Sequence, residues 1–133
     1  MKVHGACQCG AVAYEAEVDP AKVVVCHCID CQMLSGAPFR ASVPARIEDF
    51  RLLKGVPRTY VKTAESGNRR VQAFCGDCGS PFYATDAVGA KTVNLRIGAM
   101  AERASLPPQR QIWCESALPW TEDLLAVPKV EKQ

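Results

Sequence analysis

The sequence predicts a mainly β domain of short antiparallel strands in a sandwich or barrel-like arrangement, with little helix. Three observations carry that expectation. Apolar and polar residues alternate from Ala11 to Val18, β-branched and aromatic residues recur in short runs, and glycine-bearing turns separate those runs. Val12, Tyr14, Ala16 and Val18 form the inward half of the first strand, which Asp19-Pro20 stops. Lys22 to Cys26 follows as a short buried strand leading into a cysteine cluster. Further strands are expected at Phe39 to Val43, Arg58 to Lys62, Arg70 to Phe74, Pro81 to Thr85 and Thr92 to Ile97. Between them stand the turn formers Ser35-Gly36, Lys54-Gly55, Ser66-Gly67-Asn68, Cys78-Gly79 and Val88-Gly89. Helix is confined to two pieces, Asp30 to Leu34 and Thr121 to Ala126, the second capped by Thr121. No repeat or linker divides the chain, so residues 1–127 are expected as one domain and residues 128–133 as a polar tail.

Composition narrows the function classes. With 133 residues, 48% of them hydrophobic and 23% charged, the chain can bury a real core and is not a disordered or collagen-like sequence. Its longest plainly apolar run, Val23-Val24-Val25-Cys26, is far short of a membrane span. The first residues, Met1 to Cys7, lack the apolar centre of a secretory signal, so a cytoplasmic location is expected. A formal charge of +2 argues against a dedicated nucleic-acid binder with a broad basic face. One local excess stands out, with seven basic and three acidic residues from Arg46 to Arg70. It reads as a solvated sheet surface, or else as a rim attractive to a small anion.

Eight cysteines in a reducing compartment point to metal rather than to disulfides. Seven fall into three clusters: Cys7 and Cys9; Cys26, Cys28 and Cys31; Cys75 and Cys78. Zinc prefers tetrahedral thiolate coordination, and two cysteines separated by one or two residues can turn both sulfurs toward one ion. Glycine after the second cysteine, as in Cys9-Gly10 and Cys78-Gly79, permits the positive φ such turns need. The two pairs, Cys7 with Cys9 and Cys75 with Cys78, would complete a closed structural zinc site joining segments 66 residues apart. Cys26, Cys28 and Cys31 have no fourth cysteine nearby, and three protein ligands with one open position is the arrangement of a catalytic zinc. Alternatively, Cys28 and Cys31 complete a different four-cysteine set, or the three thiols are simply buried or oxidised. His27 lies between two of these cysteines and should point away from the metal. Cys114 reads as a buried bystander, and Trp113 and Trp120 as core or rim packing.

In this order and spacing, the motifs resemble those of the glutathione-dependent formaldehyde-activating enzyme family, or Gfa-like proteins, whose coiled β-sheets form the β-tent fold. The matching stretches are Gly5-Ala6-Cys7-Gln8-Cys9-Gly10-Ala11-Val12, Cys26-His27-Cys28-Ile29-Asp30-Cys31 with Ser35-Gly36-Ala37-Pro38-Phe39, Phe74-Cys75-Gly76-Asp77-Cys78-Gly79-Ser80, Ile112-Trp113 and Pro119-Trp120. Together they span 116 residues, from Gly5 to Trp120. The resemblance implies structural zinc at Cys7, Cys9, Cys75 and Cys78, and a second, catalytic-type zinc at Cys26, Cys28 and Cys31; three exposed thiolates would hold that second ion less firmly and oxidise more easily. It also implies carbon-sulfur lyase or synthase activity, the reversible addition of glutathione or a similar thiol to an aldehyde such as formaldehyde. Two departures are visible: Gln32 stands where a basic residue is frequent, and Gly5-Ala6 where Gly-Gly or Gly-Ser is usual.

Three thiolates leave zinc a weak Lewis acid, so the expected role of the site is to receive a substrate thiol rather than to polarise a carbonyl. Arg40, Arg69 and Arg70 are candidate partners for substrate carboxylates, and His27 and Asp30 are candidate acids or bases. The competing reading is a noncatalytic zinc module for protein or nucleic-acid interaction on the same scaffold. Nothing in the sequence sets an oligomeric state. Two zinc ions and seven thiolates would take the formal charge from +2 to −1.

Overall fold

The alternation at Val12, Tyr14, Ala16 and Val18 drives all four side chains inward, each 6% exposed or less, and organises the smaller of two sheets. The computed structural model describes all residues, 1–133. The small sheet holds β1 (Lys2–Ala6), β2 (Ala13–Glu17) and β5 (Phe50–Lys54) in the order β1-β2-β5, antiparallel throughout. The large sheet has seven strands in the order β10-β3-β4-β9-β8-β7-β6. These are β3 (Val24–Cys26), β4 (Arg40–Arg46), β6 (Arg58–Thr63), β7 (Arg69–Phe74), β8 (Pro81–Asp86), β9 (Thr92–Arg96) and β10 (Arg110–Ile112). All its neighbours are antiparallel except β10 and β3, a parallel pair that the sequence did not foreshadow.

The core includes inward residues of both sheets, among them Val3 and Tyr14 from the small sheet and Val43, Phe82, Val93 and Leu95 from the large one. An aromatic chain bridges the layers: Tyr14 lies 5.3 Å from Phe50 and 5.9 Å from Phe82, and Phe50 lies 5.1 Å from Tyr83. Gly5 is required beneath this chain, because a Cβ there would fall 2.1 Å from the Tyr14 ring.

Helix α1 (Ile29–Ser35) is capped by a thiol. The Cys28 sulfur accepts from the Cys31 amide, and Gly36 ends the helix at φ 63°. The second expected helix, Thr121 to Ala126, is corrected to a 3₁₀ segment over Pro119–Ala126. Thr121 does not cap it; its hydroxyl donates back to the Leu118 carbonyl. Residues 128–133 carry no regular structure and are exposed.

Candidate metal centres and cleft

The hairpin turn between β1 and β2 carries Cys7 and Cys9, and the turn between β7 and β8 carries Cys75 and Cys78. Packing of the two sheets brings the four sulfurs within 4.8 Å of one another. Cys9 lies 3.6 Å from Cys7 and 3.8 Å from Cys75. Tetrahedral zinc with bonds of about 2.3 Å sets its sulfurs about 3.8 Å apart, so donor type and spacing both fit this metal. Gly10 and Gly79 each take φ 76°, the left-handed conformation expected after the paired cysteines. The Ser80 hydroxyl, 3.2 Å from Cys78, and the Ser80 backbone pull that thiol down to about 5. Ala11 favours the Cys9 thiolate through its backbone, but the sulfurs of Cys7 and Cys78 outweigh it and push Cys9 up to about 12. Four sulfurs so close together can all be thiolate only with a cation among them.

The second cluster comes from one continuous stretch. Cys26 ends β3, Cys28 caps α1 and Cys31 lies in its first turn, with the three sulfurs again within 4.8 Å. No fourth cysteine, histidine or carboxylate joins them. Cys26 and Cys31 are buried rather than exposed, and Cys28 is half-buried. Burial, against a lowering backbone contact from Cys28, pushes the Cys26 thiol up to about 12. Burial also raises Cys31, with Arg40 opposing it. Arg40 stands directly across from Cys26 in the β3–β4 register.

His27 turns away from the sulfurs, as expected. Its Nε2 lies 2.6 Å from Gln111 Oε1, its ring packs against Phe39, and its Nδ1 is buried without a partner. Asp30 pairs with Lys62. Gln32 ties α1 to the segment after β10. Its amide donates to the His27 carbonyl at 2.8 Å and to the Ser116 carbonyl at 2.9 Å. A donor is needed there, and a neutral one serves.

Beside this cluster opens a cleft of about 890 Å³, bordered by Ser35 and Arg40 on one side, Gln8 and Ser80 on another, and Tyr14 and Arg96. The cysteines themselves do not line it; α1 and Arg40 connect cleft and sulfurs. Arg96 is a cleft residue that the sequence did not single out. It is 6% exposed, and burial, Arg40 and Arg70 lower it to about 9, opposed by the sulfurs of Cys31 and Cys26.

The family model described as glutathione-dependent formaldehyde-activating enzyme matches residues 2–116. The chain belongs to this family. Its fold is similar to that in a crystal structure of a Rhodobacter sphaeroides protein, with a TM-score of 0.63 and 21% identity over 84% of this chain and 99% of that one. No curated protein matches. Family membership and the two cysteine clusters agree on a metal-binding, formaldehyde-activating type of protein, and no helix is long and apolar enough to cross a membrane.

The basic stretch from Arg46 to Arg70 agrees with a solvated sheet surface rather than the alternative of an anion rim, since four of its seven basic residues are already paired: Arg46 with Glu48 and Asp49, Arg51 with Glu15, Lys62 with Asp30 and Arg70 with Asp86. Other expectations need correction. Of the arginines proposed to meet a carboxylate, Arg40 stands at the cleft, whereas Arg69 borders a separate hollow with Asp86 and Val88. Cys114 is exposed rather than buried. Trp113 and Trp120, at 59% and 52% exposure, are not core residues. Trp113 also takes φ 56°, the one non-glycine residue in the left-handed region.

Proposed function

We propose that the protein is a zinc-dependent carbon-sulfur lyase or synthase that promotes reversible addition of a small thiol, glutathione or similar, to an aldehyde such as formaldehyde. The observation that carries this reading is the incomplete ligand set of Cys26, Cys28 and Cys31, set beside a cleft large enough for a tripeptide. Cys7, Cys9, Cys75 and Cys78 are assigned to a structural zinc. A zinc ion held by Cys26, Cys28 and Cys31 would supply one free coordination position that keeps a substrate thiol deprotonated near neutral pH.

The surrounding residues do the rest. Arg40 offsets the negative charge collected by three thiolates, and Gln32 fixes α1 and with it Cys28 and Cys31. The cleft holds thiol and aldehyde together, replacing a bimolecular encounter with a positioned one. In the addition, a carbon-sulfur bond forms at the aldehyde carbon while the carbonyl π bond breaks, and the oxygen takes up the proton that the thiol gave away. Asp30 and His27 are both engaged elsewhere, so solvent is the simplest proton donor for that oxygen. A cytoplasmic site of action accords with seven cysteines kept reduced for metal.

Cobalt substitution tests the reading against the noncatalytic module. The expected result is two metals per chain, with the charge-transfer bands of one site shifting when thiol is added, and accelerated S-hydroxymethyl-thiol formation. One metal per chain and bands indifferent to every thiol would favour the module.

A further inference from the structure

Arg96 is the only charged residue in the buried interior, and no ion pair of the protein includes it or Arg40. A guanidinium carries five donors, yet the one side-chain hydrogen bond that Arg96 makes runs to Gln72 Oε1 at 3.1 Å. The other Arg96 nitrogens are not among the sealed, unpartnered atoms of the protein, so they open onto the cleft, where an anion can complete a cation that the protein itself leaves with one acceptor.

The sheet register places a second cation beside it. Arg40 faces Cys26 across β3–β4, and Arg96 faces Ser42 across β4–β9. Arg40 and Ser42 are two residues apart on β4, so Cys26, Arg40 and Arg96 share one face of the sheet. Both arginines border the large cleft, and so does Tyr14, whose hydroxyl is buried with no partner. Tyr14 is 1% exposed. The neighbouring charges leave the place for an anion free. Glu102 is engaged by the His4 backbone and ring at 2.8 Å each, and Arg70 is held by Asp86 at 2.7 Å.

We propose that Arg40, Arg96 and the Tyr14 hydroxyl form a carboxylate-binding subsite that anchors the thiol substrate while its sulfur reaches the three-cysteine cluster. The substrate class is therefore small thiols that carry a carboxylate. The sulfur half of this statement rests on the thiol-addition reading; the carboxylate half rests on the unpartnered donors alone. Arg96 is a binding residue here, held in place by Gln72, and its burial excludes water from the ion pair that the substrate would complete.

S-methylglutathione separates the two halves, because it keeps both carboxylates and has no free thiol. Calorimetry on the zinc-loaded protein should detect its binding, and Arg96→Met and Arg40→Gln should each weaken it by about tenfold or more. Tyr14→Phe should weaken it severalfold without lowering the thermal midpoint. In the ligand-free protein Arg96→Met should raise the midpoint, since it removes an unpaired buried charge, whereas a purely structural arginine would lower it. On the cobalt-substituted protein, 3-mercaptopropionate should act at about tenfold lower concentration than 2-mercaptoethanol, a preference both arginine variants lose. Failure of S-methylglutathione to bind the native protein, or equal binding by folded, zinc-loaded Arg96→Met and Arg40→Gln, overturns the subsite. Carboxylate-dependent binding with no thiol response at cobalt upholds the subsite and defeats the thiol-addition reading.

Discussion

The two cysteine clusters use one donor chemistry for opposite ends. Cys7, Cys9, Cys75 and Cys78 come from hairpin turns of two different sheets and complete a closed set. Cys26, Cys28 and Cys31 come from six consecutive residues and stop at three. The first is a staple whose parts meet only when the sheets pack. The second is a local unit that needs no long-range closure to gather its sulfurs. Their neighbours differ as well: Ser80 and backbone amides serve the staple, whereas Arg40 stands against the local unit, with Arg96 behind it. Under the proposed function, ligand count and neighbouring charge, rather than ligand type, are what separate the holding site from the reacting one.

That contrast can be broken in stages. Cys75→Ser strikes the staple at a residue 1% exposed. Structural zinc sites carry apparent binding energies of about 10 kcal/mol or more, comparable with the whole stability of a domain, so this variant should fail to fold by circular dichroism. Cys28→Ser should abolish turnover yet leave a cooperative thermal transition and one tightly held zinc by metal analysis; full activity on the true substrate would remove the distinction. Gly5→Ala is intermediate. Its new methyl must displace the Tyr14 ring, and overpacking of this kind costs about 1–3 kcal/mol, read as a lowered midpoint with both metals retained. The smallest effect concerns the Glu102–His4 clasp, which ties β1 to the segment after β9. Hydrogen bonds from His4 hold the Glu102 carboxyl below its usual range. A carboxyl depressed by folding adds stability above its unfolded pKa of about 4.3 and loses it as pH falls through the folded value. Acid titration of the midpoint should thus be slightly shallower in Glu102→Gln.

Much of this architecture is legible in the sequence because its signals are periodic or chemical. The alternation from Val12 to Val18 names the inward face correctly, and cysteine spacing separates the two clusters. β1, β5 and β10 carry no such signal, for physical reasons. β1 buries only Val3 and Gly5, and a glycine sheltering under Tyr14 contributes no hydrophobic pattern. Both β5 leucines are exposed, so they show no inward alternation, and β10 is a polar Arg-Gln-Ile segment held by its parallel partner. Arg96 does carry a readable cue. It follows Val93 and Leu95 in a strand flanked by β4 and β8, so its outward-facing register position still lies inside the sheet, where a charge requires explanation. The exposure of Cys114 has no such cue, since a lone cysteine looks the same in a turn as in a core.

The parallel seam between β10 and β3 also imposes an order of assembly during synthesis. Every ligand of the staple has been made once Cys78 emerges, whereas β3 has an open edge and His27 lacks Gln111 until the chain beyond residue 110 is available. A nascent chain can therefore bring the four sulfurs of the staple together while the three-thiol segment is still uncovered, and the last strand to arrive closes the edge of the strand that carries Cys26.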